Sequence, residues 1–164
     1  MKIKPPIEKL LESAAVHLHE SLAFKLRDLT PMCGSPIEVV LLEAICLHHL
    51  IHYGAWPTFN DTSYEVPLDQ WRVYLQHEIS GYRADFLVTM GDLKKKLVVE
   101  CDGHDFHERT KEQAARDRKR DRDMTLSGYC VIRFTGSEIW RDPWQCAEDI
   151  YYQIIAMWEE ETLE

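Results

Sequence analysis

The sequence predicts a mixed α/β domain with the element order α, α, β, β, β, α, β, α. Three observations carry this. A helical apolar stripe and then a second helix marked by its N-cap and proline open the chain. Three strand-like runs follow one another closely between residues 71 and 102. A strongly charged helix then separates them from one more strand and a last helix. A chain of 164 residues is long enough for one compact domain with a real core. It shows no internal repeat and no low-complexity linker, so residues 1–164 read as a single domain.

Residues 7–29 place Ile7, Leu10, Leu11, Ala14, Leu18, Leu22 and Leu26 on one helical stripe, with Pro6 at a favourable start. "TPMCGSP" breaks it. Ser35-Pro36-Ile37-Glu38 then reads as an N-cap, a proline at the first helical position and an acid at the third. That helix runs to about His52. Residues 54–68 are rich in turn formers and read as a loop. "WRVYLQHEI" alternates Trp71, Val73, Leu75, His77 and Ile79 against Arg72, Tyr74, Gln76 and Glu78. "YRADFLVTM" and "KKLVVECD" flank the turn "GDLK", so the three runs form an antiparallel meander. Residues 108–123 form the charged helix, closed by Gly128. "YCVIRF" is a strand. Ser137 to about Glu160 is a final helix, with Ile139, Trp140, Trp144, Ala147, Tyr151, Ile154 and Trp158 available for burial.

Composition narrows the function classes. The longest mostly apolar run, "VVLLEAICLHHL", carries a glutamate and two histidines, so no membrane span is expected. "MKIKPPIEKLLES" has no apolar signal core, and five cysteines without a CxxC pair read as reduced thiols, so the expected location is cytoplasmic. The net charge of −9 argues against a simple nucleic-acid coat protein. The charge is uneven, however. Between Arg109 and Arg122 seven Lys/Arg face three acids, and such a helix can hold a phosphate backbone in an otherwise acidic enzyme.

The chemistry gathers at "LVVECDGHDFH". Asp85 lies inside a strand, where acids are disfavoured. Centring the turn between Asp92 and Leu93 sets Asp85 directly opposite Glu100. Cross-strand partners share a face with Cβ atoms ~4.5–5.5 Å apart. Two carboxylates that close either share a proton or hold a cation between them. A hard divalent cation suits oxygen ligands. The competing reading is a surface-facing Asp85 paired with Arg83 or a lysine of 94–96. A slip of one residue would also separate the acids.

"RADFLV", "VVECDGHDFH", the dipeptide Arg120-Asp121 and "GYCVIRF" together resemble the PD-(D/E)XK nuclease superfamily, in its very-short-patch-repair-like, restriction-endonuclease-like branch. The resemblance covers about residues 35–150 and leaves residues 1–30 as an N-terminal helical extension. It implies a restriction-endonuclease-like core, αβββαβ, with an extra N-terminal helix and a C-terminal helix. It implies a metal-dependent endonuclease acting on DNA with Mg²⁺ or Mn²⁺. Asp85, Glu100 and the carbonyl of Cys101 would bind the metal, and Glu38 matches the acid that the first core helix often supplies. His107 matches a histidine that takes part in that branch, with His104 weaker. Asp102 stands where the superfamily usually has lysine, and an acid cannot stabilise the phosphate as lysine does. Lys119 or Arg116 on the following helix could restore the positive charge. The metal would stabilise charge on the scissile phosphate and activate a water.

The same residues admit other readings. Arg109, Lys111, Arg116, Lys119 and Arg120 follow the site and suit non-specific phosphate contacts, yet mixed signs at i, i+3 and i+4 also mark a solvated helix. Cys101, His104 and His107, with His48, His49 and His52, offer thiol and imidazole ligands for zinc, but lack a second cysteine pair. The helix histidines are expected to be ordinary, one or two packed and the rest exposed. Trp140, Trp144 and Trp158 are expected in the core, and Trp56, Phe59 and Tyr64 lie in the loop. The alternative function is a catalytically inactive module on the same fold, binding nucleic acid or a protein partner. The N-terminal helix is expected either to pack on the core or to form a homodimer contact.

Overall fold

The computed structural model describes residues 6–60, 70–103 and 111–163. Helix α1 (Pro6–Leu26) is followed by a 3-10 turn (Thr30–Met32) and α2 (Pro36–Tyr53). Strand β1 is only Thr58–Phe59; β2 (Trp71–Ile79), β3 (Tyr82–Met90) and β4 (Lys96–Asp102) are long. Then come α3 (Lys111–Leu126), β5 (Tyr129–Thr135), α4 (Gly136–Arg141) and α5 (Pro143–Thr162). The expected core order is present, with two differences. The 54–68 loop contains the short β1, and the last helix is two helices. Asp142 ends α4 and caps α5, accepting a bond from the Gln145 N–H, and Pro143 takes the first turn of α5, where a missing N–H costs nothing.

The strands lie in the order β1-β2-β3-β4-β5. β2, β3 and β4 form the antiparallel meander, and β5 returns parallel to β4 through α3. In β3 and β4, Phe86 faces Val99, Leu87 faces Val98 and Val88 faces Leu97, which is the expected register. The β4–β5 register sets Glu100 beside Arg133 and Asp102 beside Thr135.

Helices cover the sheet on both sides, as a βαβ return requires. Leu41, Leu42 and Ile45 of α2 and Ala147, Ile150 and Ile154 of α5 pack with Trp71, Val73, Phe86, Val88, Leu97 and Val99 in the main core. By length and mean hydropathy α2 equals a minimal membrane span, and half of it is buried inside this fold. A smaller cluster on the other face joins Met124 of α3 to Ile79, Ala84, Leu87 and Val98. Ser35 caps α2 by accepting the Glu38 N–H, as expected, and Gly54 ends it in a left-handed conformation at φ +68°.

The burial expectation for the tryptophans is corrected, and α1 packs on the core only in part. Only Leu22 and Leu26 of the α1 stripe enter the core, while Leu10, Leu11, Val16 and Phe24 are exposed. The stripe is regular, but only the last turns of the helix reach α2. Trp140, Trp144 and Trp158 are also exposed, and α5 buries Cys146, Ala147, Ile150, Ile154 and Met157 instead. The break at Asp142 resets the helical phase, so the small and aliphatic residues face the sheet. The α2 histidines behave as expected: His48 and His49 are buried and His52 is exposed. The His49 Nδ1–H donates to the Ala55 carbonyl at 2.7 Å, and its Nε2 accepts the Trp71 N–H at 3.1 Å. His48 stacks with His52 and lies against Trp144 and Tyr151.

Truncating a fully buried α5 residue should therefore cost far more than truncating α1. Ile150→Ala is expected to lose about 2–5 kcal/mol, and Leu10→Ala less than about 0.5 kcal/mol. Urea denaturation of both variants measures this, and a large loss for Leu10→Ala would mean that α1 packs along its whole length.

Candidate active site

The site forms where the sheet ladder lapses. One step beyond Phe86–Val99, the register sets Asp85 beside Glu100. On the other side of β3 the pairs run from Leu75–Phe86 to His77–Ala84 and pass over Gln76 and Asp85. Gln76 has φ +50°, a left-handed conformation that a side chain makes costly. Phe86 packs in the main core and Ala84 in the smaller cluster, although strict alternation would put both on one face. The alternation thus changes phase at Asp85. Gln76, Asp85 and Glu100 occupy one line across three strands; Gln76 and Asp85 are passed over in the β2–β3 pairing, while Glu100 keeps its pairing with Arg133 of β5.

The polar groups freed there satisfy one another. The Cys101 N–H donates to Asp85 Oδ2 at 2.7 Å, and the Gln76 amide also donates to Asp85. Gln76 Nε2 reaches Glu38 Oε2 at 2.8 Å. Glu38 accepts as well from the Gly34 N–H at 2.6 Å and the Ser35 hydroxyl at 2.8 Å. A Cβ on Gly34 would lie 3.2 Å from Glu38 Oε1, so glycine lets the chain wrap this carboxylate. Asp85 takes its hydrogen bonds from Cys101 and Gln76, not from Arg83.

The α3 side supplies the cations. Arg120 donates to the Glu100 carboxylate, a pair with side chains 19% and 6% exposed, and also to the Arg83 carbonyl at 3.3 Å. Its neighbour Asp121 accepts from Arg133 of β5 at 2.5 Å. Arg133 stands 3.5 Å from Asp102. The dipeptide Arg120-Asp121 therefore docks α3 through two crossed ion pairs, one to each parallel strand. Lys119 and Arg116, the candidates to restore the missing lysine's charge, do not take that place. Lys119 pairs with Asp123 at 2.6 Å and Arg116 is exposed. Among the described residues, Arg120 and Arg133 are the cations paired with these acids.

Burial raises Glu100 to a pKa of about 7, with the Asp85 charge adding to it and Arg120 opposing it. Burial also raises Asp85, with the Glu38 charge adding to it and the Cys101 N–H opposing it. Burial and the surrounding acids push the Cys101 thiol far up, so it stays protonated. Among the described residues, no group of three or more His, Cys, Asp or Glu side chains could hold a metal ion by themselves. Mg²⁺ needs fewer, since it is commonly held by one or two carboxylates with waters and substrate phosphate. Asp85 and Glu100, two hard oxygen donors with affinity for a positive partner, fit that minimal set. The zinc reading draws on α2 histidines that serve packing and backbone hydrogen bonds.

His104, His107 and Arg109 lie outside the described residues, as does Tyr64. Lys111 is the first residue of α3. Gln76 and Arg133 are members of this network that sequence reasoning missed. An amide within a strand, level with Asp85, was a signal for the first, and the arginine inside "GYCVIRF" for the second.

A meander with a parallel return, helices on both faces and acids at a lapse in the ladder define a restriction-endonuclease-like nuclease fold. The chain belongs to the REase_MTES_1575 family, whose restriction-endonuclease-like model matches residues 64–154, more than half of the chain. Asp85, Glu100, Asp102, Arg120 and Arg133 fall within the match, and Glu38 precedes it. No curated protein and no solved structure matches the chain.

Glu100 sets a pH dependence of stability. Its folded pKa, about 7, lies above its ordinary 4.5. Between these values the native state keeps a proton that the unfolded chain has released. The stabilisation is complete below about pH 4.5 and is lost as pH rises through about 7. Without metal, the urea midpoint of the wild type should fall across this window relative to Glu100→Gln, which cannot titrate. Parallel pH profiles for the two proteins would disprove the shift.

Proposed function

We propose that this protein is a metal-dependent endonuclease that hydrolyses phosphodiester bonds in DNA. The observation that carries it is the pairing of half-buried Asp85 with buried Glu100 at the lapse in the ladder, each raised by burial, in a chain of a restriction-endonuclease-like family. Asp85 and Glu100 would hold Mg²⁺ or Mn²⁺, with the Cys101 carbonyl as a third ligand. The bound ion would neutralise charge on the phosphate and lower the pKa of a water.

The chain's own residues have distinct tasks. The Cys101 N–H fixes Oδ2 of Asp85. Gln76 ties Asp85 to Glu38, so that α2 and the strands hold one geometry. Glu38 acts through Gln76, whose amide it holds. Arg120, beside Glu100, supplies the positive charge that Asp102 cannot, and is the residue best placed to meet a phosphate oxygen. Asp102 serves with Asp121 to hold Arg133. His107 is the proposed group for orienting water. On α3, Arg116 is exposed and available for a phosphate contact, with Arg109 and Lys111 proposed alongside it.

The second reading is an inactive module binding nucleic acid or a protein. Its support is the Arg120–Glu100 pair, in which a guanidinium already compensates the acid a metal would need. Calorimetric titration with Mn²⁺, with and without DNA, separates the two. Binding of one ion in the wild type, lost in Asp85→Ala, supports the enzyme; no binding in either condition supports the module.

Purified protein with Mg²⁺ or Mn²⁺ should nick or cut plasmid DNA. Asp85→Ala should lower the rate at least about 100-fold, the scale on which lost electrostatic stabilisation acts, with an unchanged circular dichroism spectrum. Cleavage that survives this substitution would assign the activity to another site.

A further inference from the structure

The α3 face of the sheet is only partly covered by α3. Toward the β2 side it holds a hollow of about 270 Å³, lined by Arg72, Tyr74, His77, Leu87, Thr89, Gly91, Leu93 and Lys96. None of these residues is acidic, in a chain whose net charge is −9. Tyr74 and Leu87 form an apolar floor, with the His77 ring 5.3 Å from that of Tyr74.

Register places this hollow relative to the acids. Arg72 pairs with Thr89, and one step beyond Val88–Leu97 sets Thr89 beside Lys96. Arg72, Thr89 and Lys96 thus form one line across three strands. Tyr74, Leu87 and Val98 form the next alternate line, and Gln76, Asp85 and Glu100 the one after that. The first two lines fall on the α3 side, where Leu87 and Val98 pack with Met124; in the third, Glu100 meets Arg120 of α3 while Gln76 turns to Glu38 of α2. Lys96 and Glu100 are four residues apart on one strand, or ~13 Å at a rise of ~3.3 Å per residue. With ~3.4 Å per nucleotide along one strand of duplex DNA, that distance spans about four nucleotides.

We propose that this hollow holds a backbone phosphate of a duplex DNA substrate, about four nucleotides from the bond at Asp85 and Glu100. Lys96, exposed at the start of β4, makes the charge contact, and Arg72 provides a planar donor beside it. The contact carries no base information, so it sets the substrate's path rather than its sequence. It rests on the nuclease reading above, and it names a second point on the strand that the acids alone do not define.

Binding and cleavage are measured separately. Fluorescence anisotropy with a labelled duplex, in Ca²⁺ to restrain cleavage, gives the dissociation constant over a salt series from about 50 to 200 mM. Lys96→Ala should weaken binding several-fold and flatten the slope of log K against log salt by about 1, and Lys96→Ala with Arg72→Ala by about 2. Lys96→Glu, at an exposed position, should weaken binding further without altering thermal unfolding, which keeps the test valid if Arg72→Ala fails to fold. Wild-type affinity and slope in Lys96→Ala and Lys96→Glu would overturn the hollow, whereas Mn²⁺-dependent cutting by the same proteins would leave the nuclease reading standing. A wild type that binds no duplex at about 50 mM salt would also overturn the hollow, with cleavage of the plasmid then judging the nuclease reading by itself.

Discussion

Two carboxylates brought together inside a sheet impose the constraint on which the rest of this molecule depends. Glu100 is 5% exposed and Asp85 lies beside it, so each ionised form lacks water and faces a like charge. A strand in regular pairing has no spare groups to answer that cost. Here the pairing lapses at this level, which releases the Cys101 N–H for Asp85 and turns Gln76 toward both Asp85 and Glu38. The backbone irregularity and the acids are therefore one feature, and the unfavourable φ of Gln76 is tolerated because its amide joins two carboxylates.

The same need organises the helical layer beside the strands. Among the described residues of α3, Met124 is the buried apolar one, and a helix with so polar a sequence has little else to bury. Its position is set by charge. Arg120 turns to β4 and Asp121 to β5, so adjacent residues on one helix address adjacent parallel strands. Arg133 then links Asp121 to Asp102. Replacing lysine by aspartate in the motif therefore does not leave this end of the sheet without cations; it moves them to the helix and the neighbouring strand. Ion pairs of this kind contribute little net stability but do fix geometry.

Much of this could be read in the sequence. Alternation and turn chemistry located the meander, and centring the turn between Asp92 and Leu93 gave the register that makes Asp85 and Glu100 neighbours. Ser35 and Pro36 located α2 and thus Glu38. Other parts could not be read, for physical reasons. Periodicity shows which side of a helix is apolar but not whether anything lies against it, so the packing of α1 stayed open and the three exposed tryptophans were misplaced. A two-residue strand such as β1 has no period to detect. Partner choice among many arginines depends on three-dimensional reach, so Arg120 and Arg133 could not be distinguished from Arg116 and Lys119 by composition.

The position of α1 has a dynamic consequence. Only Leu22 and Leu26, near its C-terminal end, enter the core, so the preceding turns are held by their own backbone hydrogen bonds and by helix propensity. Isolated helical turns are marginal in water. The amides of α2 and the central strands can open only when the main core opens, whereas those early in α1 can open while the core stays closed. The chain therefore has two tiers of cooperativity, and a global unfolding transition reports on the sheet and its helices while remaining almost blind to its first helix.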